Sequence, residues 1–537
     1  MLCKGGCMTA FHAISISKQF PDGDRLFSSI SFSTEEGITA LVGKNGSGKS
    51  HLAQILAKLT PPSEGRVEWG NQIKSVGFYS QLESKSDLSQ SIAQQLGVEK
   101  KLLALEHIQQ GDSSCHWFDM IADGEWDLAE QLARLLTQLR LPTDLNIKLA
   151  QLSGGQRAVL RLYVLLQQDY DAFVLDEPTN HLDSEHVDWL VKQLKTIDKP
   201  VLVVSHNIAF LNHVDKILEL NSIGITSYGG NYQTFVAHKN EHLQALQGKA
   251  KSLTRERKVK VEKAHQRLIT AQKLATRGKA QRTSGSQPKI LMDGKKQGAQ
   301  NANAAIAAQS ERQFAVLDQK LQQVKDQIEQ NKPQKWYTGV VQTQGKTAIA
   351  FDAFQHANVF GAPIRATVLT SEHAWLKGRN GSGKSTILKR VLAVSQNSSD
   401  VTEGLRANTQ CFYLDQHFSM LNGDLALIDA VCEGCEEMTI PAARTLLAGI
   451  GFRRDKVYDK VEQLSGGEKM KLAMLIASHQ KQVATLLLDE PDNHLDLEAK
   501  QQLIAAINGY VGTVLVVSHD MGFIEQLRID KVIALTD

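Results

Sequence analysis

Short, largely apolar runs recur along this chain, each followed by glycine, serine or acidic residues. Ile38–Val42, Phe173–Leu175 and Val201–Val204 have counterparts in Ala374–Leu376, Leu486–Leu488 and Val514–Val517. Runs of that length bounded by turn residues predict strands buried on both faces, as in a parallel sheet covered by helices. A strand-like alternation, Phe11, Ile14 and Ile16, begins just after Met8. The middle of the chain reads differently. Lys239–Arg277 contains no proline and only Gly248, and is rich in Lys, Arg, Gln, Glu and Ala, which favours helix. Between Ala304 and Asn331, residues Phe314, Leu317, Leu321, Val324 and Ile328 follow 3-4-3-4 spacing, the seam of a second helix that Pro333 stops. Gly278, Gly285, Pro288, Gly294 and Gly298 lie between them. Two antiparallel helices with a glycine-punctuated tip are predicted, reaching roughly 40–60 Å at about 1.5 Å per residue.

At 537 residues the chain is too long for one hydrophobic core. Its 60 Lys and Arg against 58 Asp and Glu leave a formal net charge of only +2. That near-balance hides an asymmetry. Lys239–Lys335 holds 21 basic and 8 acidic residues, net +13, so the rest of the chain carries −11. A strongly basic projection on a mildly acidic body predicts a polyanionic partner. No apolar run approaches the roughly 20 residues of a membrane span, so no membrane contact and a cytoplasmic location are expected. Six cysteines are scattered, with Cys3 and Cys7 in a glycine-rich leader and Cys432 and Cys435 in a lone CxxC. A structural zinc would need two more ligands at matched spacing, so reduced thiols are expected.

The chain repeats itself. Gly43-Lys-Asn-Gly-Ser-Gly-Lys49-Ser50 returns as Gly378-Arg-Asn-Gly-Ser-Gly-Lys384-Ser385, and Gln81 returns as Gln416, both at an offset of 335. Leu152-Ser-Gly-Gly-Gln156 returns as Leu464-Ser-Gly-Gly-Glu468 at 312. Leu175–Asp183 (LDEPTNHLD) returns as Leu488–Asp496 (LDEPDNHLD), and Ser205-His206 as Ser518-His519, at 313. The first copy therefore carries about 23 extra residues, which map to a helical stretch near Gly97–Leu128 interrupted by Gly111-Asp-Ser-Ser. This stretch is expected to be a surface elaboration away from the site.

Each GxxxxGKS sits between a strand pattern and a helix pattern, the context of a phosphate-binding loop. Gly43, Asn45, Gly46, Ser47 and Gly48 in one copy, and Gly378, Asn380, Gly381, Ser382 and Gly383 in the other, would curl backbone N–H groups around phosphate oxygens. Lys49 and Lys384 would reach the β- and γ-phosphates of ATP, and the hydroxyls of Ser50 and Ser385 would ligate Mg2+. Asp176 and Asp489 end buried strands and would hold Mg2+ through its water shell. Glu177 and Glu490, next in sequence, would polarise the attacking water. Ser153-Gly154-Gly155 and Ser465-Gly466-Gly467 open helices and form anion-binding N-termini. His206 and His519 follow their glutamates by 29 residues, at strand ends where an imidazole can touch the γ-phosphate.

These motifs, each present twice and without a membrane span, resemble the ATP-binding cassette superfamily. The charged helical linker and EPTNHLD at Glu177–Asp183 resemble its ABC-F subfamily. The resemblance implies an α/β protein with two P-loop ABC ATPase domains, each a mixed sheet core with a helical subdomain, joined by an α-helical hairpin linker. The domains would be residues 8–238, 239–335 and 336–537. It implies a Mg2+-dependent ATPase whose cassettes close head-to-tail, within one monomeric chain, around two ATP molecules. The first site would combine Lys49, Ser50, Gln81, Asp176, Glu177 and His206 with Ser465, Gly466 and Gly467. The second would combine Lys384, Ser385, Gln416, Asp489, Glu490 and His519 with Ser153, Gly154 and Gly155. Gln81 and Gln416 would join the Mg2+ ligands, His51 and Thr386 would line the nucleotide, and Phe20 would stack on the first adenine, with Phe360 the weaker candidate for the second. ABC-F proteins act on the ribosome, as translation factors or in antibiotic resistance, so ribosomal RNA and tRNA are the implied partners of the basic linker.

Four positions depart from the family pattern: His51 after the loop serine, Asn207 after His206, Asp492 in the second EPTNHLD, and Glu468 in the second signature. They predict unequal hydrolysis at the two sites. Charge alone does not separate RNA from DNA, so a DNA-associated ATPase is the alternative. A transporter's separate motor subunit is a third reading, disfavoured because such a motor needs no projecting arm.

Overall fold

The computed structural model describes residues 10–20, 23, 25–80, 87–122, 124–180, 182–221, 224–283, 312–325, 346–355, 362–379, 381–396, 404–415, 417–435, 437–480, 483–493 and 495–535. Gln81, Gln416, Asn380, Phe360 and the linker tip lie outside these residues. The chain forms two compact units, Met1–Thr234 with Gln334–Asp537, and Phe235–Pro333.

In the first unit the predicted apolar runs become the centres of two sheets. The first sheet runs Val76–Tyr79, Ala172–Asp176, Val201–Val204, Ile38–Gly43, Lys216–Asn221, Gly224–Gly229, with only the last pair antiparallel. The second runs Gln410–Leu414, Val483–Asp489, Thr513–Val517, His373–Lys377, Lys531–Ala534, all parallel. Every residue of Ala172–Asp176 and of Val201–Val204 is buried, as continuous apolar runs require. A three-stranded antiparallel sheet accompanies each: Arg25–Ser33, Phe11–Gln19 and Glu64–Trp69, and then Ile364–Leu369, Thr347–Phe354 and Leu405–Ala407.

The helix after each glycine loop is clamped between its two sheets. Leu52, Ile55 and Leu56 of Lys49–Leu56 pack with Phe11, Ile16 and Ile30 on one side and Val174, Leu202 and Val204 on the other. Ile387, Leu388 and Val391 of Lys384–Gln396 do the same in the second half, against Phe351, Leu405, Leu487 and Leu515. Both loops are thus fixed at the C-terminal edge of a central strand, where open α/β sheets bind ligands. The elaboration of the first half forms helices Glu99–Gln109 and Cys115–Phe118, broken at Gly111 as predicted, with a small core of Ala104, Leu105 and Ile121.

The second unit contains most of one helix, Tyr232–Thr283, whose 52 residues span about 78 Å. Residues 312–325 form a further helix, and its predicted seam residues Leu317, Leu321 and Val324 are buried. Arg257 of the long helix donates through Nε to Asp318 Oδ1 at 2.6 Å. The rest of the predicted second helix, Ile328 included, lies outside the described residues. Among the described residues no helix is long and apolar enough to cross a membrane.

A paired nucleotide site

The two glycine loops have the same build. Gly46 and Gly48 have φ of +77° and +94°, and Gly381 and Gly383 have +83° and +90°, left-handed turns that glycine adopts without strain. The Lys49 ammonium donates to the carbonyls of Gly43 and Lys44, both at 3.0 Å, and Lys384 to those of Gly378 and Arg379 at 2.9 and 2.6 Å. Burial pulls both lysines below their usual range. The hydroxyls of Ser47 and Ser382 are buried with no hydrogen-bond partner, each beside the first glycine of its own loop.

Ser50 Oγ donates to Asp176 Oδ1 at 3.1 Å, and Asp489 accepts from Ser385 and, at 2.8 Å, from the Tyr413 hydroxyl. A hydroxyl beside a carboxylate is a hard-oxygen pair that suits Mg2+, which keeps waters and takes its remaining ligands from substrate phosphates. No cluster of three acidic, histidine or cysteine side chains that could hold a metal alone is found among the described residues.

Glu177 and Glu490 both sit at φ 49°, a left-handed conformation costly for a side-chain-bearing residue. Each is pinned by its own N–H, which donates to Val204 O or Val517 O at 2.9 Å. The two carboxylates then diverge. Burial pushes Glu177 up to about 7, against the pull of the Lys49 ammonium. Glu490 is also buried, but His519 Nε2 at 3.2 Å, Lys384 and the Asn493 amide hold it below the usual range. His206 Nε2 is 3.5 Å from Glu177 Oε1, and burial drives its pKa well below the ordinary value, so the ring is neutral.

The signature serines cap their helices. Ser153 Oγ accepts from Gln156 N at 3.2 Å while Gln156 Oε1 accepts from Ser153 N at 3.0 Å. The substituted signature keeps this box, because a glutamate serves it as well as a glutamine. Glu468 Oε2 also accepts a hydrogen bond from the Ser465 hydroxyl at 2.8 Å. His51 faces Phe20 edge-on, ring centroids 5.4 Å apart, and both line a recess of about 500 Å³. The departure at position 51 therefore exchanges a small hydroxyl for a second ring beside Phe20.

The halves meet across this chemistry. Asp496 Oδ2 accepts from Asn45 N of the first loop at 3.1 Å, and Glu498 pairs with Lys44 at 3.0 Å. A cavity of about 800 Å³ between the halves is walled by Lys49, Glu177 and His206, by Ser153, Gly154 and Gly155, and by Gly381, Glu490 and His519. Ser465, Gly466 and Gly467 do not line it.

The same wall contains residues that motif reading passed over: Lys500 and Asp520, beside the substituted Asp492. Lys500 Nζ donates to Asp520 Oδ2 at 2.8 Å and lies 3.7 Å from Asp492 Oδ2, all three side chains being buried. Asp520 also accepts Ile208 N at 3.1 Å and Ala209 N at 3.3 Å from the other half. The short helices Ile208–Leu211 and Met521–Ile524 touch there, and a Cβ on Gly522 would fall 2.7 Å from Ile208 Cγ2 and 2.8 Å from Ala209 N. A lysine on the apolar face of Leu497–Gly509, where the repeat has Val187, was the available signal.

Two wound phosphate loops at sheet edges, each with a strand-end Asp-Glu pair and a capped Ser-Gly-Gly helix, define a tandem nucleotide-binding cassette protein. A family model described as ABC transporter matches residues 27–180 and 362–493. The chain belongs to this family, in its ABC-F branch, and is an ATPase. It is 28% identical to ABC transporter F family member 5 of Arabidopsis thaliana over 93% of this chain and 70% of that protein. It is 27% identical to the Ribosome protection protein VmlR of Bacillus subtilis (strain 168), over 95% of this chain and 84% of that one. Among solved structures, RNase-L Inhibitor aligns with a TM-score of 0.55 at 16% identity, covering 97% of this chain and 87% of that chain, a likeness of fold.

Proposed function

We propose that this chain is a ribosome-acting ATPase, a translation factor or antibiotic-resistance factor working in the cytoplasm, whose two cassettes close on two Mg·ATP and whose basic linker contacts ribosomal RNA or tRNA. The observation that supports it most is the charge division. A segment of net +13 interrupts a body of net −11 that contains both ATP sites, in a chain similar over 95% of its length to a Ribosome protection protein. Phosphate contacts give such a segment sequence-independent, salt-sensitive affinity for RNA, which is read largely by shape.

In this reading the domains are 8–238, 239–335 and 336–537, and the active species is a monomer pairing its own halves. Lys49 and Lys384 hold the phosphates, and the loop N–H groups orient them. Ser50, Gln81 and Asp176, with Ser385, Gln416 and Asp489, would hold Mg2+, which would supply charge neutralisation at the phosphates. Glu177 and Glu490 take the proton of the attacking water, and His206 and His519 fix the γ-phosphate. Asn45 and Asn380, His51 and Thr386 complete the nucleotide contacts. The two glutamates sit in different electrostatic settings, which supports unequal turnover at the two sites.

The test is sedimentation of lysate containing Glu177→Gln, Glu490→Gln protein through a sucrose cushion with ATP. Co-migration with ribosomes is expected. Protein that stays at the top while binding purified DNA tightly overturns the reading in favour of the DNA-associated alternative. Phe20 gives a second expectation. Removing an aromatic platform costs about 1–3 kcal/mol per stacked base, so Phe20→Ala should raise the ATP KM about 5- to 150-fold while changing kcat little, measured by steady-state phosphate release.

A further inference from the structure

Read at its 313-residue offset across the interface, the repeat changes chemical character. Thr179, Val187 and Asn207 in the first half become Asp492, Lys500 and Asp520 in the second. The first trio is neutral and self-contained. Thr179 and Ser205 share a hydroxyl hydrogen bond of 2.8 Å, Val187 is core, and Asn207 Oδ1 caps its own short helix by accepting Phe210 N at 2.8 Å.

The second trio places three charges in the interior, which is costly unless each is paired and hydrogen-bonded. Asp520 is well supplied, by the Lys500 ammonium and by the Ile208 and Ala209 amides of the opposite half. Asp492 is supplied less fully: it bonds the Ser518 hydroxyl, its Oδ2 is a loose 3.7 Å from Lys500, and its Oδ1 is buried with no hydrogen-bond partner. An apolar trio would pack this helix at lower cost, so the charges serve something beyond packing. The cavity that Lys500 lines is also lined by Glu177 and His206 of the first half, which places its ammonium and the Glu177 carboxylate around one space. At the place in the first half equivalent to Lys500 stands Val187, and Glu490 takes His519, Lys384 and Asn493 from its own half.

We propose that Lys500 is a positioning residue of the first ATP site, supplied by the opposite cassette: Asp520 and Asp492 hold its ammonium where it orients the Glu177 carboxylate toward the attacking water. Asp520 ties this arrangement to the first half through the amides two and three residues past His206. The first site is therefore complete only while the second cassette is seated on it, whereas Glu490 is oriented from within. The inference rests on the assignment of Glu177 as the base of the first site.

The experiment compares purified full-length wild type, Lys500→Met, Lys500→Arg, and the double change Asp492→Thr, Lys500→Val, which installs the neutral pair of the first half and avoids stranding Asp492. Each is made in a Glu490→Gln background, so that turnover reports the first site alone, and measured for kcat, KM for ATP and thermal unfolding midpoint, with Glu177→Gln alongside. Lys500→Met and the double variant should lose about tenfold in kcat with KM within about twofold, Lys500→Arg should recover most of the loss, and the double variant should still unfold cooperatively, at a midpoint lowered by the loss of the Asp520 counter-ion. A double variant that folds and turns over at the wild-type kcat overturns the inference, as does a loss that appears in KM and not in kcat. If Glu177→Gln itself leaves turnover unchanged, the assignment of the base has failed instead, so the two failures are distinct.

Discussion

Replacing Glu177 and Glu490 together by glutamine is expected to lower ATP turnover about 10²- to 10⁴-fold, the range that a positioned general base contributes, with nucleotide binding retained. Glutamine matches glutamate in size and can keep the hydrogen bonds around both side chains, but it cannot accept a proton from water. The backbone leaves little room for another group to take over. Both residues are held at φ 49° by N–H bonds to the neighbouring strand, which aims their side chains into the shared cavity. Phosphate release under steady-state conditions measures the loss, and a fluorescent ATP analogue checks that binding persists. A double variant hydrolysing within a factor of about three of wild type would remove general-base catalysis by these carboxylates.

Gly522→Val is expected to cost about 5- to 150-fold in turnover, the counterpart of the roughly 1–3 kcal/mol that overpacking a closed contact imposes. A Cβ at this position meets Ile208 Cγ2 at 2.7 Å and the Ala209 backbone nitrogen at 2.8 Å. The side-chain contact could relax, but the backbone contact belongs to the turn that also donates to Asp520, so the halves must separate. Separation dismantles the cavity without touching any loop, lysine or glutamate. Each half should keep its ordinary melting behaviour while hydrolysis falls; unaltered turnover would mean that this contact is not needed for the reaction. Nucleotide binding to the individual loops should survive.

Local features were legible in the sequence because they are contiguous. Ile38–Val42 was read as the strand before the first loop, and the strand is Ile38–Gly43. The glycines, Lys49, Lys384 and the Asp-Glu pairs lie within a few residues of their neighbours, so spacing alone indicates which side chains meet. The long helix begins earlier than composition indicated, at Tyr232, because Asn231 Oδ1 accepts Thr234 N at 3.3 Å after the left-handed Gly230. That Gly-Asn start signal was present and unread. What spacing could not supply was any partner from the other half. Asp520 bonds amides more than 300 positions away, and Gly522 is small for the sake of a surface it meets only after both halves have folded. The substitution at Asp492 was visible, but its counter-ion Lys500 belongs to no motif and shows itself only when buried beside it.

The mismatched turns at this seam also bear on how the gene's two copies have drifted. Ala209 occupies the place in one copy that Gly522 occupies in the other, and Asn207 the place of Asp520. Pairing two first halves would press methyl groups together where glycine now yields, with no anion for either turn's amides. Pairing two second halves would set carboxylate against carboxylate. The seam is therefore complementary between unlike halves, a glycine and a carboxylate on one side meeting a methyl group and backbone amides on the other.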